Sequence, residues 1–408
     1  MTAVQELLLQ AIRHPESTTC LELAEWDLLL RQVRRAGLLA RFCILLDEHR
    51  VLDAVPARVL PHLTSARTVA AAQERAIHWE VNRITKALTE IDIVPIILLK
   101  GTAYLMAGLP PARGRIFGDV DIMVPRAKLD AVERALRRHG WLAQPLDSYD
   151  DRYYRQWTHE LPPLRHIRRH TVLDVHHNIL PETARLHPDP TKLIAAAQPL
   201  NGADSLTTLA PADMVLHSAT HLLNEGEFEN GLRDLVDLDD LLRYFGREES
   251  FWLGLVERAQ ALDLSRPLYY ALRYTRSILG TPVPEEVGAK ASLHRPRGLA
   301  LPLMDAAFTR ALAPDHPSYD TVLTKPARFF LYVRSHYLRM PLHLLVPHLM
   351  RKAIKRRPGS SRQPCQFCQK MRSRIWALAR PFLYVCSHLL RMPLHSVIPD
   401  VIRKAIKR

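Results

Sequence analysis

The sequence predicts an α+β protein whose α/β-like core lies between two helical segments. Two observations carry this. Apolar residues recur at helical spacing through residues 1–90 and again from Pro211 to about residue 312. Between them lie short Ile- and Val-rich runs, too short for helices, alternating with amphipathic stretches.

Each element follows in order. WDLLLRQVRRAGLLARFCILLDE and VAAAQERAIHWEVNRITKALTEI are helical in period. IDIVPIILLK (91–100) reads as a buried strand, and GTAYLMAGL opens a helix at its end. After Pro110-Pro111 comes a second strand in RIFGDVDIMV (115–124), then an amphipathic helix, KLDAVERALRRHGW (128–141). TVLDVHHNIL (171–180) is a further strand, with Val172, Asp174 and His176 on one face. The expected divisions are a helical segment 1–90, a core 91–200, a helical domain 201–324 and a basic tail 325–408.

Charge separates the tail from the rest. The net charge of +14 conceals a mildly acidic body, because residues 325–408 hold 19 Lys and Arg against a single acidic residue, Asp400. The basic pI therefore says nothing about nucleic-acid binding by the body. The tail also contains a repeat: residues 331–356 align without gaps on 383–408, with 18 of 26 positions identical. Its Arg, His and apolar residues suit an anionic membrane surface or RNA phosphates. No apolar run approaches the roughly 18–20 residues of a membrane span. Five scattered cysteines and the absence of a basic, apolar leader point to the cytoplasm, with peripheral contact at the inner membrane face as an extension of the tail's charge. Cys365 and Cys368 have zinc-like spacing but no second ligand pair at a suitable distance.

Chemistry concentrates around the second strand. Asp119 and Asp121 are carboxylates two apart, and unpaired burial of such groups costs several kcal/mol, on the order of that for lone buried ions. A hard divalent cation, Mg²⁺ or Mn²⁺, would compensate them, with substrate phosphates as further ligands. Lys100, Gly101 and Thr102 stand at a strand-to-helix turn, where unpaired backbone N–H groups suit an anion. Asp174 supplies a third carboxylate on a nearby strand. Three carboxylates beside an anion cradle suit metal-assisted nucleotidyl transfer. His217 and His221 share a helical face near Asp234 and Asp237, which suggests either a second metal site or, better, a helical domain packing over the nucleotide. His177 reads as a packing residue.

The stretch IVPIILLKGTAYLMAGLPPARGRIFGDVDIMV, its following helix and VLDVHHNI resemble the uncharacterised bacterial nucleotidyltransferase family of the polymerase-beta-like superfamily. The resemblance extends from about residue 20 to 245 and omits the tail. The gap of 16 residues between Thr102 and Asp119 is long for the superfamily at large, and Thr102 stands where Gly or Ser is usual. The resemblance implies a minimal mixed sheet flanked by helices. It implies Asp119, Asp121 and Asp174 as catalytic metal ligands, with Gly101 and Thr102 on the β- and γ-phosphates. It also implies Arg115 offsetting phosphate charge, and Arg233 and Asp234 reaching the nucleotide. The implied activity is transfer of a nucleoside monophosphate from an NTP to a hydroxyl acceptor (protein, small molecule or tRNA) with release of pyrophosphate. The contrasting reading is a non-catalytic nucleotide sensor whose tail is its interaction module.

Overall fold

Seven strands form one mixed sheet: β1 (Ile96–Leu98), β2 (Val120–Met123), β3 (Trp141–Ala143), β4 (Leu164–His166), β5 (Val172–His176), β6 (Gln198–Leu200) and β7 (Ala203–Thr208). Their order across the sheet is β3-β4-β5-β2-β1-β7-β6. The centre is β2, antiparallel to β1 and parallel to β5. The computed structural model describes residues 3–345 apart from 93, 94, 146, 201, 202, 225 and 227.

The α+β class holds. The strands at 91–100, 115–124 and 171–180 are present, each shorter than its apolar run. The reason is visible at β2: Ile116, Gly118 and Asp119 are exposed, and continuous burial begins only at Val120. Both faces of the central strands are covered, so Ile96, Ile97 and Leu98 are all buried, as are Val120 to Val124. The sheet also runs past residue 200. β7 pairs in parallel with β1 through Ile96↔Leu206 to Leu98↔Thr208, so these residues belong to the core rather than to the helical segment that follows.

Helices Leu23–Arg35, Leu39–Glu48 and Leu60–Thr89 pack before the sheet in sequence. The first is fixed by a capping box in which the Glu22 N–H donates to Glu25 Oε2 at 2.9 Å. The long helix Leu60–Thr89 is tied to the sheet by Glu80, buried inside it, whose carboxylate accepts from Arg169 Nε and Nη2 at 2.8 Å and from the Thr171 hydroxyl at 2.8 Å. After the sheet come Pro211–Asn224, Gly231–Phe245, Glu249–Ala261 and Ser265–Tyr274. Asp213, fully buried in the first of these, is held by both arms of Arg258 at 2.7 Å.

The chain divides into two units, Met1–Pro341 and Leu342–Arg408. The first helix of the basic stretch, Thr324–Arg339, lies in the first unit rather than outside it. Leu331, Ser335 and His336 are buried, the Arg334 guanidinium lies over Tyr270 and Phe308, and the Thr183 hydroxyl donates to the Arg339 carbonyl at 2.7 Å. Charge hid this, because the helix carries Lys325, Arg328, Arg334 and Arg339 with no acidic residue, and most of its buried residues are polar. Most of the repeat, with Cys365 and Cys368, lies outside the described residues.

Candidate active site

Parallel pairing of β2 with β5 sets Asp121 directly opposite Asp174. On a pleated sheet, cross-strand partners share a face with their Cβ atoms about 5 Å apart. Two carboxylates are thus brought side by side by register alone, and Asp119, just ahead of β2, stands at the exposed rim above them. Asp119 is not held by the pleat, contrary to the reading that placed it within the strand.

The three carboxyls differ in electrostatics. Burial penalises the Asp121 charge, but Lys100 and His176 outweigh it and hold the group well below the carboxylate range. Lys100 Nζ is 3.3 Å and His176 Nε2 3.0 Å from Asp121 Oδ1. At Asp174 the balance is reversed, because the pull of His176 is outweighed. Burial first, then Asp121 and Glu160, push it up to about 7. Its Oδ1 is buried and makes no hydrogen bond. Crowding by protein atoms and the Asp121 charge raise Asp119 as well. An orphaned carboxylate oxygen beside a second carboxylate, with a third at the rim, fits a hard cation.

The strand-to-helix turn is built against this pair. The Leu99 N–H donates to the Asp121 carbonyl at 3.0 Å, and Lys100 adopts a left-handed backbone with φ +46°. Such a conformation costs a Lys on the order of 1 kcal/mol or more and clusters at functional sites. It turns the chain from β1 into the helix Lys100–Met106 while the ammonium returns to Asp121. Thr102 is buried, and its hydroxyl makes no hydrogen bond. The sequence suggested that Gly101 leaves open space for a phosphate, but that space is taken by Arg115. A β-carbon there would lie 2.5 Å from Arg115 Nε, so its missing side chain accommodates the arginine.

Arg115 is partly buried and ion-paired with Asp237, which also lies 3.5 Å from Arg41. Arg41 is further paired with Asp240, and burial lowers it to about 10. Arg233 and Asp234 are paired with each other at 2.8 Å, and both act electrostatically on Arg115. The helix Gly231–Phe245 therefore reaches the site through Asp237 first, a residue that sequence reasoning attached only to a second metal site. His217 is buried, and burial with the nearby Lys100 keeps it far below its ordinary range, hence neutral. His177 is also buried and is lowered to about 4, in keeping with a packing residue.

Two further residues were missed. His159 and Glu160 precede Pro162-Pro163, and their segment runs antiparallel along the end of β5. Glu160 bridges to His176, and the His177 N–H donates to the His159 carbonyl at 2.8 Å. His176, a neighbour of Asp174 in the sequence reading, joins Asp121 to Glu160, whose Oε2 is 3.4 Å from His176 Nδ1. A segment containing paired prolines gives no strand signal, so nothing in the sequence placed Glu160 here. Among the described residues, His159, Glu160 and His176 are the group of three whose ligand atoms converge as a metal site would require; neither His217 and His221 with Asp234 and Asp237, nor Asp119, Asp121 and Asp174, come together so closely as they stand.

No curated protein and no solved structure matches this chain. A family model described as uncharacterised nucleotidyltransferase matches residues 22–280, more than half of the 408. The match spans the N-terminal helices, the whole sheet and the helices carrying His217, Asp237 and Arg258. On that extent the chain belongs to the uncharacterised nucleotidyltransferase family.

Proposed function

We propose that the protein is a polymerase-beta-like nucleotidyltransferase that moves a nucleoside monophosphate from an NTP to a hydroxyl acceptor. The observation carrying this is the Asp121–Asp174 pair, opposed in register with one orphaned Asp174 oxygen, inside a family of nucleotidyltransferases. Asp119, Asp121 and Asp174 would hold Mg²⁺ or Mn²⁺, which when bound neutralises the triphosphate.

The chain's own groups supply the rest. Lys100, 3.3 Å from Asp121, would offer its ammonium to phosphate oxygens, and Arg115 would add a second positive charge beside Gly101. Thr102 offers its unused hydroxyl. Arg233 and Asp234 set the charge around Arg115 from the covering helix. Asp174, poised near neutrality, takes the proton of the acceptor hydroxyl. The acceptor oxygen bonds the α-phosphorus, the bond to the β-phosphate oxygen breaks, and pyrophosphate leaves.

The acceptor is a protein, a small molecule or tRNA. Among the described residues no helix is long and apolar enough to cross a membrane. The reading keeps the protein in the cytoplasm, with the basic chain beyond residue 341 as the part that would meet an anionic membrane or RNA. Incubation with each α-labelled NTP, Mg²⁺ and cell lysate tests the reaction. Label should pass from one NTP to one acceptor class; no labelled product with any NTP refutes the reading.

A further inference from the structure

We propose that His159, Glu160 and His176 form a transition-metal site separate from the carboxylate site, taking Zn²⁺ or a similar borderline cation. The proposal stands on local geometry and does not depend on nucleotidyl transfer. One ligand atom from each residue lies within 4.8 Å of the others. His176 Nδ1 and Glu160 Oε2 are already 3.4 Å apart, about the spacing of two ligands on a tetrahedral ion with bonds near 2.0–2.1 Å. The imidazole rings of His159 and His176 lie with centroids 5.3 Å apart.

The geometry of His176 makes the site directional. Its Nε2 lies 3.0 Å from Asp121 Oδ1, and a carboxylate oxygen only accepts, so Nε2 carries the proton of that hydrogen bond. Its Nδ1 is buried, makes no hydrogen bond and faces Glu160 Oε2 at 3.4 Å. A histidine that donates one ring N–H to a carboxylate and turns the other nitrogen inward is the usual arrangement of a metal ligand, since the carboxylate fixes its tautomer. Imidazole and carboxylate together favour Zn²⁺, Co²⁺ or Ni²⁺, whereas Mg²⁺ favours oxygen alone.

The scaffold is also set in advance. The Leu161 N–H donates to the Val175 carbonyl at 2.9 Å and the His177 N–H to the His159 carbonyl at 2.8 Å, so backbone pairing fixes all three residues before a metal arrives. His159 and His176 are buried, and the half-buried Glu160 leaves an entry from solvent.

The test uses the full chain, stripped with chelator and returned to millimolar Mg²⁺. Zn²⁺ is then titrated against a chromophoric competitor, and Co²⁺ is followed by its visible spectrum. Zn²⁺ should bind despite excess Mg²⁺, and Glu160→Gln and His159→Asn should each weaken that binding at least tenfold. Co²⁺ should show ligand-field bands that both variants lose. Equal zinc affinity in wild type and both variants would overturn the proposal. So would displacement of zinc by Mg²⁺, or cobalt spectra consisting only of thiolate bands, which would place the metal on cysteines. Absence of zinc binding would overturn it too, leaving His176 as a doubly protonated link between Glu160 and Asp121.

Discussion

The Arg115 guanidinium rests on Gly101, so close that a β-carbon would lie 2.5 Å from Nε. Arg115 is anchored from the other side by the buried Asp237 and cannot retreat without breaking that pair. Gly101→Ala should therefore displace the arginine, lower stability by about 1–3 kcal/mol and reduce transfer at least tenfold. Calorimetric unfolding and a labelled-NTP assay would show it. A fully active, fully stable Gly101→Ala would mean that Arg115 moves freely and is not a fixed part of the site.

Asp119 and Asp121 should part company in stability while both being needed for transfer. Asp121 is a buried anion between Lys100 and His176, and its Asn variant removes the negative charge that both of them face. Breaking a buried pair from one side costs roughly 3–5 kcal/mol. Asp119 is raised by crowding and by Asp121, so its ionised form is disfavoured in the folded protein, and Asp119→Asn should unfold no earlier than wild type without metal. Parallel melting curves decide this. An Asp119→Asn melt that falls as far as the Asp121→Asn melt would contradict the difference in environment.

Asp174→Asn should keep Mg·NTP binding and lose most of the transfer rate, as shown by titration with a non-hydrolysable NTP and by turnover. Without metal the same substitution should change the pH dependence of stability. The folded pKa of about 7 lies above the usual value of 3.8, so wild type pays a penalty that is absent below pH 4 and grows as pH rises towards 7. Asp174→Asn lacks that penalty. Its melting temperature should overtake that of wild type across this window, and Mg²⁺ should raise wild type more than the variant above pH 7. Parallel pH profiles of the two proteins would remove Asp174 from the site.

A chain ending at Pro341 should melt like the full chain, whereas one ending at residue 324 should melt several degrees lower. The difference is the helix Thr324–Arg339, which buries Leu331, Ser335 and His336. Exposing one large apolar side chain costs about 1.5–3 kcal/mol. Indistinguishable melts would show that this helix adds nothing to the first unit.

The parts of the molecule legible in the sequence were those that local pattern determines. Helical periodicity located the flanking segments, and the apolar runs around Ile97, Ile122 and Leu173 marked three central strands. The pairing of those strands was not legible, and pairing is what turns Asp121 and Asp174 into neighbours. Gly101 was marked as special for its small size, but its partner, Arg115, could be found only in three dimensions. The pairing of Asp237 with Arg115 and the place of Glu160 escaped for the same reason: each acts on a residue far away in sequence, through a helix face or a proline-broken strand that carries no recognisable motif. The packed start of the basic stretch was hidden by its charge.

The Asp121–Asp174 pairing is made by parallel strands, and parallel strands must be joined by a crossover. That crossover holds β3, β4, the helix Ser148–Trp157 and the segment with His159 and Glu160. That crossover is itself tied back to the ladder, since β4 pairs with β5 and the Leu161 N–H donates to the Val175 carbonyl. A shift of one residue in the ladder would turn Asp174 to the opposite face at once. The strands thus hold the two carboxylates opposite each other from within, while the same crossover brings Glu160 back beside them from a distance in sequence.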